Sequence, residues 1–244
     1  MLSKNEYKLI TSLTQKKYRQ KEGLFIAEGA KLVNEILVSD FEIYKIYATD
    51  EFKTNIDASL LSYISQIELK KISQQVSPSE VLGVFKIPNK RSTQSKGVNL
   101  VLDGIQDPGN LGTIIRLCDW FGISKLICSE DTVDCFNTKV VQASMGSITR
   151  VEIIYTDLLE FLSVTNLPVF YTLLEGKNVY TTTFPSECIF VMGNEANGIR
   201  KELKKLPFEP ITIPRFGLES NVESLNVAMA TAVFLSELKR GSQK

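Results

Sequence analysis

Short apolar runs alternate with helix-spaced apolar positions along most of the chain, and the alternation is more regular from Val98 onward. Leu24-Phe25-Ile26-Ala27 and Ile43 to Ala48 are strand-length apolar runs. Between them, Leu32, Val33, Ile36 and Leu37 recur at helical spacing. Leu9, Ile10 and Leu13 predict a short first helix, Leu60 to Ile64 a further helical stretch, and Val81 to Ile87 a closing strand. Residues 1–87 therefore read as a small α/β layer.

The polar stretch 88–97 has proline and glycine at its ends and reads as a linker. Beyond it, Leu100-Val101-Leu102, Leu126-Ile127-Cys128, Val151 to Tyr155, Val169 to Leu174, Cys188 to Met192 and Ile211-Thr212-Ile213 read as strands. Helices are expected where Leu111, Ile114, Ile115, Cys118 and Phe121 share one face, over Val140 to Ile148, over Leu158 to Leu162, and over Ser224 to Leu238. Ser224 is the expected N-cap of the last helix, with Asn226 in its first turn. Strands that are apolar along their whole length and separated by helices predict an α/β domain over residues 98–244, with a mostly parallel sheet covered on both faces.

Composition changes the picture mainly by exclusion. A chain of 244 residues, 43% hydrophobic and 23% charged, fits a soluble protein of one or two domains. No apolar run approaches the roughly 18 residues of a membrane span. The opening Met1-Leu2-Ser3-Lys4-Asn5-Glu6 lacks a signal-peptide core, so a cytoplasmic location is expected. Cys118, Cys128, Cys135 and Cys188 form no CxxC pair and read as buried hydrophobes. With no histidine in the chain, no metal centre is expected, and Ser–His, Cys–His and His general-base machinery are excluded. Net charge is +0, so an RNA partner would need a local basic patch. Lys4, Lys8, Lys16, Lys17, Arg19 and Lys21 around Tyr18 offer one, in a pattern equally that of a solvated helix face.

Ligands of open α/β sheets bind beyond the carboxyl ends of the strands. Three segments place Gly, Asn and Pro there beside charged or amide side chains: Asp107 to Arg116, Met192 to Gly198, and Ile213 to Gly217 running on to Ser224-Leu225-Asn226-Val227-Ala228. The turn from Asp103 to Asn110 has no GxGxxG cluster and the chain has no Walker A sequence, which argues against a nucleotide-dependent α/β enzyme.

In order and spacing these segments resemble the three motifs of the SpoU/TrmH class of RNA ribose 2′-O-methyltransferases, in the SPOUT superfamily. Asn110, Gly112 and Arg116 match the first motif, and Gly193, Glu195 and Gly198 the second. Ile213, Pro214, Gly217, Ser224, Leu225, Asn226 and Ala228 match the third. Lys16-Lys17-Tyr18-Arg19, the stretch Gly23 to Gly29, and Lys31 resemble the substrate-binding domain of a two-domain subgroup. One departure is the loop 218–223, longer than the family's usual spacing of about three residues.

The resemblance implies a deep trefoil knot within 98–244 and a homodimer that needs no metal. It implies S-adenosylmethionine as cofactor, contacted by Leu173, Met192, Gly193, Ile213 and Leu225. It gives catalytic roles to Arg116, Asn110, Glu195, Ser224 and Asn226, and RNA contacts to Lys16, Lys17, Arg19 and Lys31. Arg116 would bind the developing 2′-oxyanion or the adjacent phosphate, Asn110 would orient Arg116 or the ribose, and Glu195, expected near a helix start, would pair with Arg116 or an RNA hydroxyl. Plainer roles compete. Asn110 suits a turn, Arg116 a structural pair with Glu195 or Asp119, and Ile213 and Leu225 core packing. Large-subunit ribosomal RNA is the favoured substrate and tRNA the alternative. A non-catalytic RNA-binding protein that keeps the fold is the rival class.

Overall fold

The computed structural model describes residues 1–88, 97–217 and 223–242. Its first elements are α1 (Lys4–Ser12), α2 (Lys16–Glu22), β1 (Leu24–Glu28), α3 (Ala30–Leu37), β2 (Ile43–Ala48), β3 (Leu61–Tyr63), α4 (Gln66–Ile72) and β4 (Val81–Lys86). There follow β5 (Val98–Leu102), α5 (Pro108–Phe121), β6 (Lys125–Ser129), α6 (Thr138–Ser144), β7 (Glu152–Thr156) and α7 (Leu158–Ser163). The last are β8 (Val169–Asn178), β9 (Cys188–Met192), β10 (Glu209–Thr212) and α8 (Val227–Ser242). They fall into two units, Met1–Arg91 with Asp134–Thr149, and Ser92–Val133 with Arg150–Lys244. Of the expected linker 88–97, residues 89–96 lie outside the described residues, as do residues 218–222 of the lengthened loop.

In the first unit the strand order is β1-β4-β2-β3, with β4 antiparallel to β1 and β2, and β3 parallel to β2. Every residue of β1 is buried because both sheet faces are covered. On one face Leu24 and Ile26 pack with Ile10, Leu13, Leu69 and Ile72. On the other, the Phe25 ring meets those of Phe41, Phe85 and Phe136. The helix expected over Leu60 to Ile64 is instead β3, paired with β2. The helix starts only after it, where Ser65 and Glu68 close a capping box.

Arg19 corrects the expected RNA-binding stretch. Its side chain is 2% exposed. Nε and Nη2 donate to Asp134 Oδ2 at 2.9 and 2.5 Å, and Nη1 donates to the carbonyls of Leu13 and Thr14 at 2.9 Å each. The guanidinium is therefore committed inside this unit, while Lys16, Lys17 and Lys31 are exposed. The same ion pair binds the segment Asp134–Thr149, which the sequence reading assigned to 98–244, into the first unit. The single helix expected from Val140 to Ile148 is broken. Met145 and Gly146 take φ of 51° and 93°, leaving α6 and a short 3₁₀ turn at Ser147–Thr149.

In the second unit the six-stranded order is β10-β8-β9-β5-β6-β7, and every neighbouring pair is parallel. Val101, Ile127, Ile189 and Val191 pack on one face with Leu158, Leu162 and Leu203. The two-residue period sends Leu100, Leu102 and Phe190 to the other face, where the Phe190 ring lies 6.3 Å from that of Phe234 on α8. Burial on both faces is why these strands read as unbroken apolar runs. From β5 the sheet extends through β6 and β7 one way and through β9, β8 and β10 the other, so the loops after β5 and β9 diverge at a switch point. At the far edge the β8–β10 register slips between Pro210 and Ile211. There Gly176 crosses so closely that a Cβ would lie 2.7 Å from the Pro210 carbonyl carbon.

Candidate functional site

Three chain segments meet at this switch point, each fixed by local turn chemistry. Asp107 caps α5 by accepting the Asn110 N–H at 2.8 Å, and Pro108 fills the first turn, where a missing N–H has no cost. This holds Asn110 at the mouth of the helix.

The second segment is the start of α8. The structure corrects the expected cap, which is Asn226 and not Ser224. Asn226 Oδ1 accepts the N–H groups of Ala228 and Met229 at 2.9 and 3.2 Å, satisfying donors that have no partner within the helix. Its Nδ2 is then free to donate to Asn110 Oδ1 at 2.9 Å. Ser224 and Leu225 precede the cap and are exposed.

The third segment follows β9. No helix starts there, contrary to the expectation for Glu195. Asn194 and Gly198 instead exchange main-chain hydrogen bonds at 3.0 and 2.9 Å. The Asn194 side chain caps the turn by accepting from Ala196 and Asn197. A Cβ on Gly193 would sit 2.5 Å from the Gly198 carbonyl carbon, and Gly198 has φ 64°, so both positions require glycine. Glu195 stands exposed on this turn and accepts a 2.9 Å hydrogen bond from Asn110 Nδ2. Asn226, Asn110 and Glu195 thus form one relay across three segments.

Arg116 is exposed on α5. The structural partners considered for it are engaged elsewhere, Asp119 with Arg150 at 2.9 Å and Glu195 with Asn110. Six residues separate Arg116 from Asn110, a displacement of about 9 Å along the helix and about 120° around it.

Of the residues expected at a cofactor, Leu173 and Ile213 are half-buried, Leu225 is exposed, and Gly193 forms the base of the turn. The Met192 side chain is in the core, and its carbonyl accepts the Asp103 N–H at 2.9 Å. Partly exposed aliphatic side chains and glycine backbone are the chemistry that suits a flat adenosine and an aliphatic sulfonium chain.

Sequence reasoning missed a neighbouring polar cluster in which Asp103, Asp131, Asn194 and Arg200 border a cavity of about 300 Å³. Asp103 is 1% exposed and paired with Arg200. Burial acts against the charge of Asp131, but hydrogen bonds from Ser129 and Arg200 hold its carboxyl below the usual range. The available signal was a carboxylate, Asp103, placed directly after the apolar run Leu100-Val101-Leu102.

The SpoU rRNA Methylase family matches residues 97–236, and the MRM3-like substrate binding domain matches residues 4–83. The 23S rRNA (guanosine(2553)-2′-O)-methyltransferase RlmP of Bacillus subtilis is 29% identical over 93% of this chain and 93% of its own. A solved structure from Porphyromonas gingivalis, described as a TrmH-family RNA methyltransferase, is 38% identical with a TM-score of 0.86, covering 98% of this chain and 99% of that one. The AdoMet-bound rRNA methyltransferase of Sinorhizobium meliloti is 29% identical with a TM-score of 0.84, covering 98% of this chain and 96% of that one.

Proposed function

This chain belongs to the SpoU rRNA methylase family, and on that premise we propose that it transfers a methyl group from S-adenosylmethionine to a ribose 2′-hydroxyl of large-subunit ribosomal RNA. The observation that carries the reading is the Asn226–Asn110–Glu195 relay at the switch point, with Arg116 exposed on the same helix as Asn110. A non-catalytic protein that merely kept the fold would have no use for an amide relay aimed at a surface carboxylate. The rRNA relatives favour ribosomal RNA over tRNA, and the reading places the reaction in the cytoplasm.

S-adenosylmethionine supplies an electrophilic methyl group. Leu173, Gly193, Ile213 and Leu225 would hold it, with Met192 contributing through backbone. A guanidinium offers donors and no acceptor, so Arg116 would hold the developing 2′-oxyanion or the adjacent phosphate, and that phosphate would take the hydroxyl proton. Asn110 and Glu195 orient the ribose, and Asn226 fixes the Asn110 amide. Ser224, exposed just before the cap, would contact the ribose. Lys16, Lys17 and Lys31 contact RNA phosphates, where each charge gained adds salt-dependent affinity.

The reading includes a knotted catalytic domain and a homodimer. Trp120 on α5 is 84% exposed and Met229 on α8 63% exposed, an apolar surface suited to a second copy. A site shared between copies also accounts for the offset of Arg116 from Asn110.

The test is methyl transfer from labelled S-adenosylmethionine to total RNA and to ribosomal subunits, with Arg116→Ala alongside and the product nucleoside identified by mass spectrometry. A 2′-O-methylnucleoside made only by the unaltered protein is expected. Cofactor binding without transfer to any RNA would reject the reading.

A further inference from the structure

Arg200 joins three loops that the proposed chemistry needs in register. Asp103, directly after β5, is buried, and both its oxygens are filled by one residue. The Arg200 main-chain N–H donates to Oδ2 at 2.8 Å and Nε donates to Oδ1 at 2.5 Å. Nη2 reaches Asp131, beyond β6, at 2.9 and 3.2 Å. Alongside, Asn194 Nδ2 donates to the Gly104 carbonyl at 2.5 Å, and the Gly104 N–H donates to Ser129 Oγ at 2.8 Å. The loops after β5, β6 and β9 are thus bolted together.

We propose that Arg200 is a positioning residue for methyl transfer, setting the turn that carries Glu195 against the loop that leads to Asn110. The inference rests on the relay being the active site. Stability alone is a weak account of the outer pair between Arg200 and Asp131. Arg200 is 41% exposed and Asp131 59% exposed, and ion pairs so open to water contribute little. Asp103 also keeps a donor without the guanidinium, because the main-chain N–H at position 200 survives any substitution but proline. What the guanidinium adds is a fixed distance between loops. Glu195 lies five residues before Arg200, and among the described residues its recorded link to Asn110 is a single amide hydrogen bond. A displacement of about 1 Å at such a site costs on the order of 100-fold in rate.

The experiment is a double-mutant cycle on the full-length protein, with Arg200→Gln, Glu195→Gln and the pair. It reads kcat and KM on a 23S-type RNA substrate, cofactor affinity and Tm. Arg200→Gln is expected to lower kcat at least tenfold with cofactor affinity near the unaltered value, and to lower Tm as well, because the buried Asp103 loses its guanidinium partner. Arg200→Lys should restore part of the rate, because an ammonium can meet one carboxylate but not both in the same geometry. With Glu195→Gln already present, Arg200→Gln should add little. Unchanged kcat for Arg200→Gln, or losses that multiply fully in the double variant, would overturn the proposal while leaving the relay intact. Normal kcat for Glu195→Gln would instead sink the assignment of Glu195, and with it the route by which Arg200 acts. Should Arg200→Gln fail to fold, Asp131→Asn removes only the outer, exposed pair. It is expected to lower kcat severalfold with an unchanged Tm, and an unchanged kcat would overturn the proposal.

Discussion

Asn226 divides its amide between two tasks: its oxygen caps α8 through Ala228 and Met229, and its nitrogen donates to Asn110 Oδ1 at 2.9 Å. The division allows folding and chemistry to be separated by one atom. Asn226→Asp keeps a good cap but loses the donor. We expect stability within about 0.5 kcal/mol of the unaltered protein and a kcat at least tenfold lower. Asn226→Ala should cost about 1 kcal/mol in addition. Thermal melts and turnover on the same samples check both, and unaltered turnover in Asn226→Asp would remove Asn226 from the site.

Arg116→Ala and Asn110→Ala should each be nearly inactive, and mixing them tests the shared site. If Arg116 of one copy serves Asn110 of the other, random exchange gives half mixed dimers, each with one intact site, and about a quarter of full activity returns. Activity staying at the level of the separate variants after verified exchange would place both residues in one copy's site.

The pair Arg19–Asp134 is enclosed in the first unit, so breaking it leaves an uncompensated charge. Asp134→Asn should destabilise this unit by about 3–5 kcal/mol. A urea titration is the measurement. A change under about 1 kcal/mol would mean that water reaches the guanidinium after all.

Gly176→Ala tests the crossing of β8 and β10. Its Cβ would fall 2.7–2.8 Å from the main chain of Pro210 and Ile211, and backbone on both sides has little room to yield. Overpacking of this kind costs about 1–3 kcal/mol or more, so a lowered Tm is expected. An unaltered Tm would show that the register slip can relax.

Glu68 carries a pH signature. Hydrogen bonds from the N–H groups of Leu2 and Ser65 and from the Ser65 hydroxyl lower its carboxyl from an ordinary 4.5 to about 2. A lowered folded-state value means that the stabilisation is fully present above pH 4.5 and is lost as pH falls toward 2. Glu68→Gln should therefore show a shallower fall in Tm across that interval. Identical profiles would mean that Glu68 does not tie Leu2 to α4.

Much of this architecture was legible from the sequence because it is decided locally. Unbroken apolar runs marked the strands of the parallel sheet, and a 3.6-residue periodicity marked the apolar face of α5. Asn110, Glu195 and Asn226 stood out because glycine, proline and amide side chains gather where backbone turns sharply at strand ends. Local signals misled where several partners were possible. Leu60 to Ile64 had too few residues to separate strand from helix, and β2 decided for strand. Ser224 and Asn226 were both acceptable caps, and the Asn110 contact accompanies the choice of Asn226.

Only the tertiary structure could turn Arg19 inward, because its partner lies 115 residues away, and in sequence the residue looks like its exposed lysine neighbours. The same holds for Arg200 and Asp103, 97 residues apart. A charge declares its need for a partner, but not which partner. That is fixed only when parallel pairing of β5 with β9 brings the two loops to one edge of the sheet.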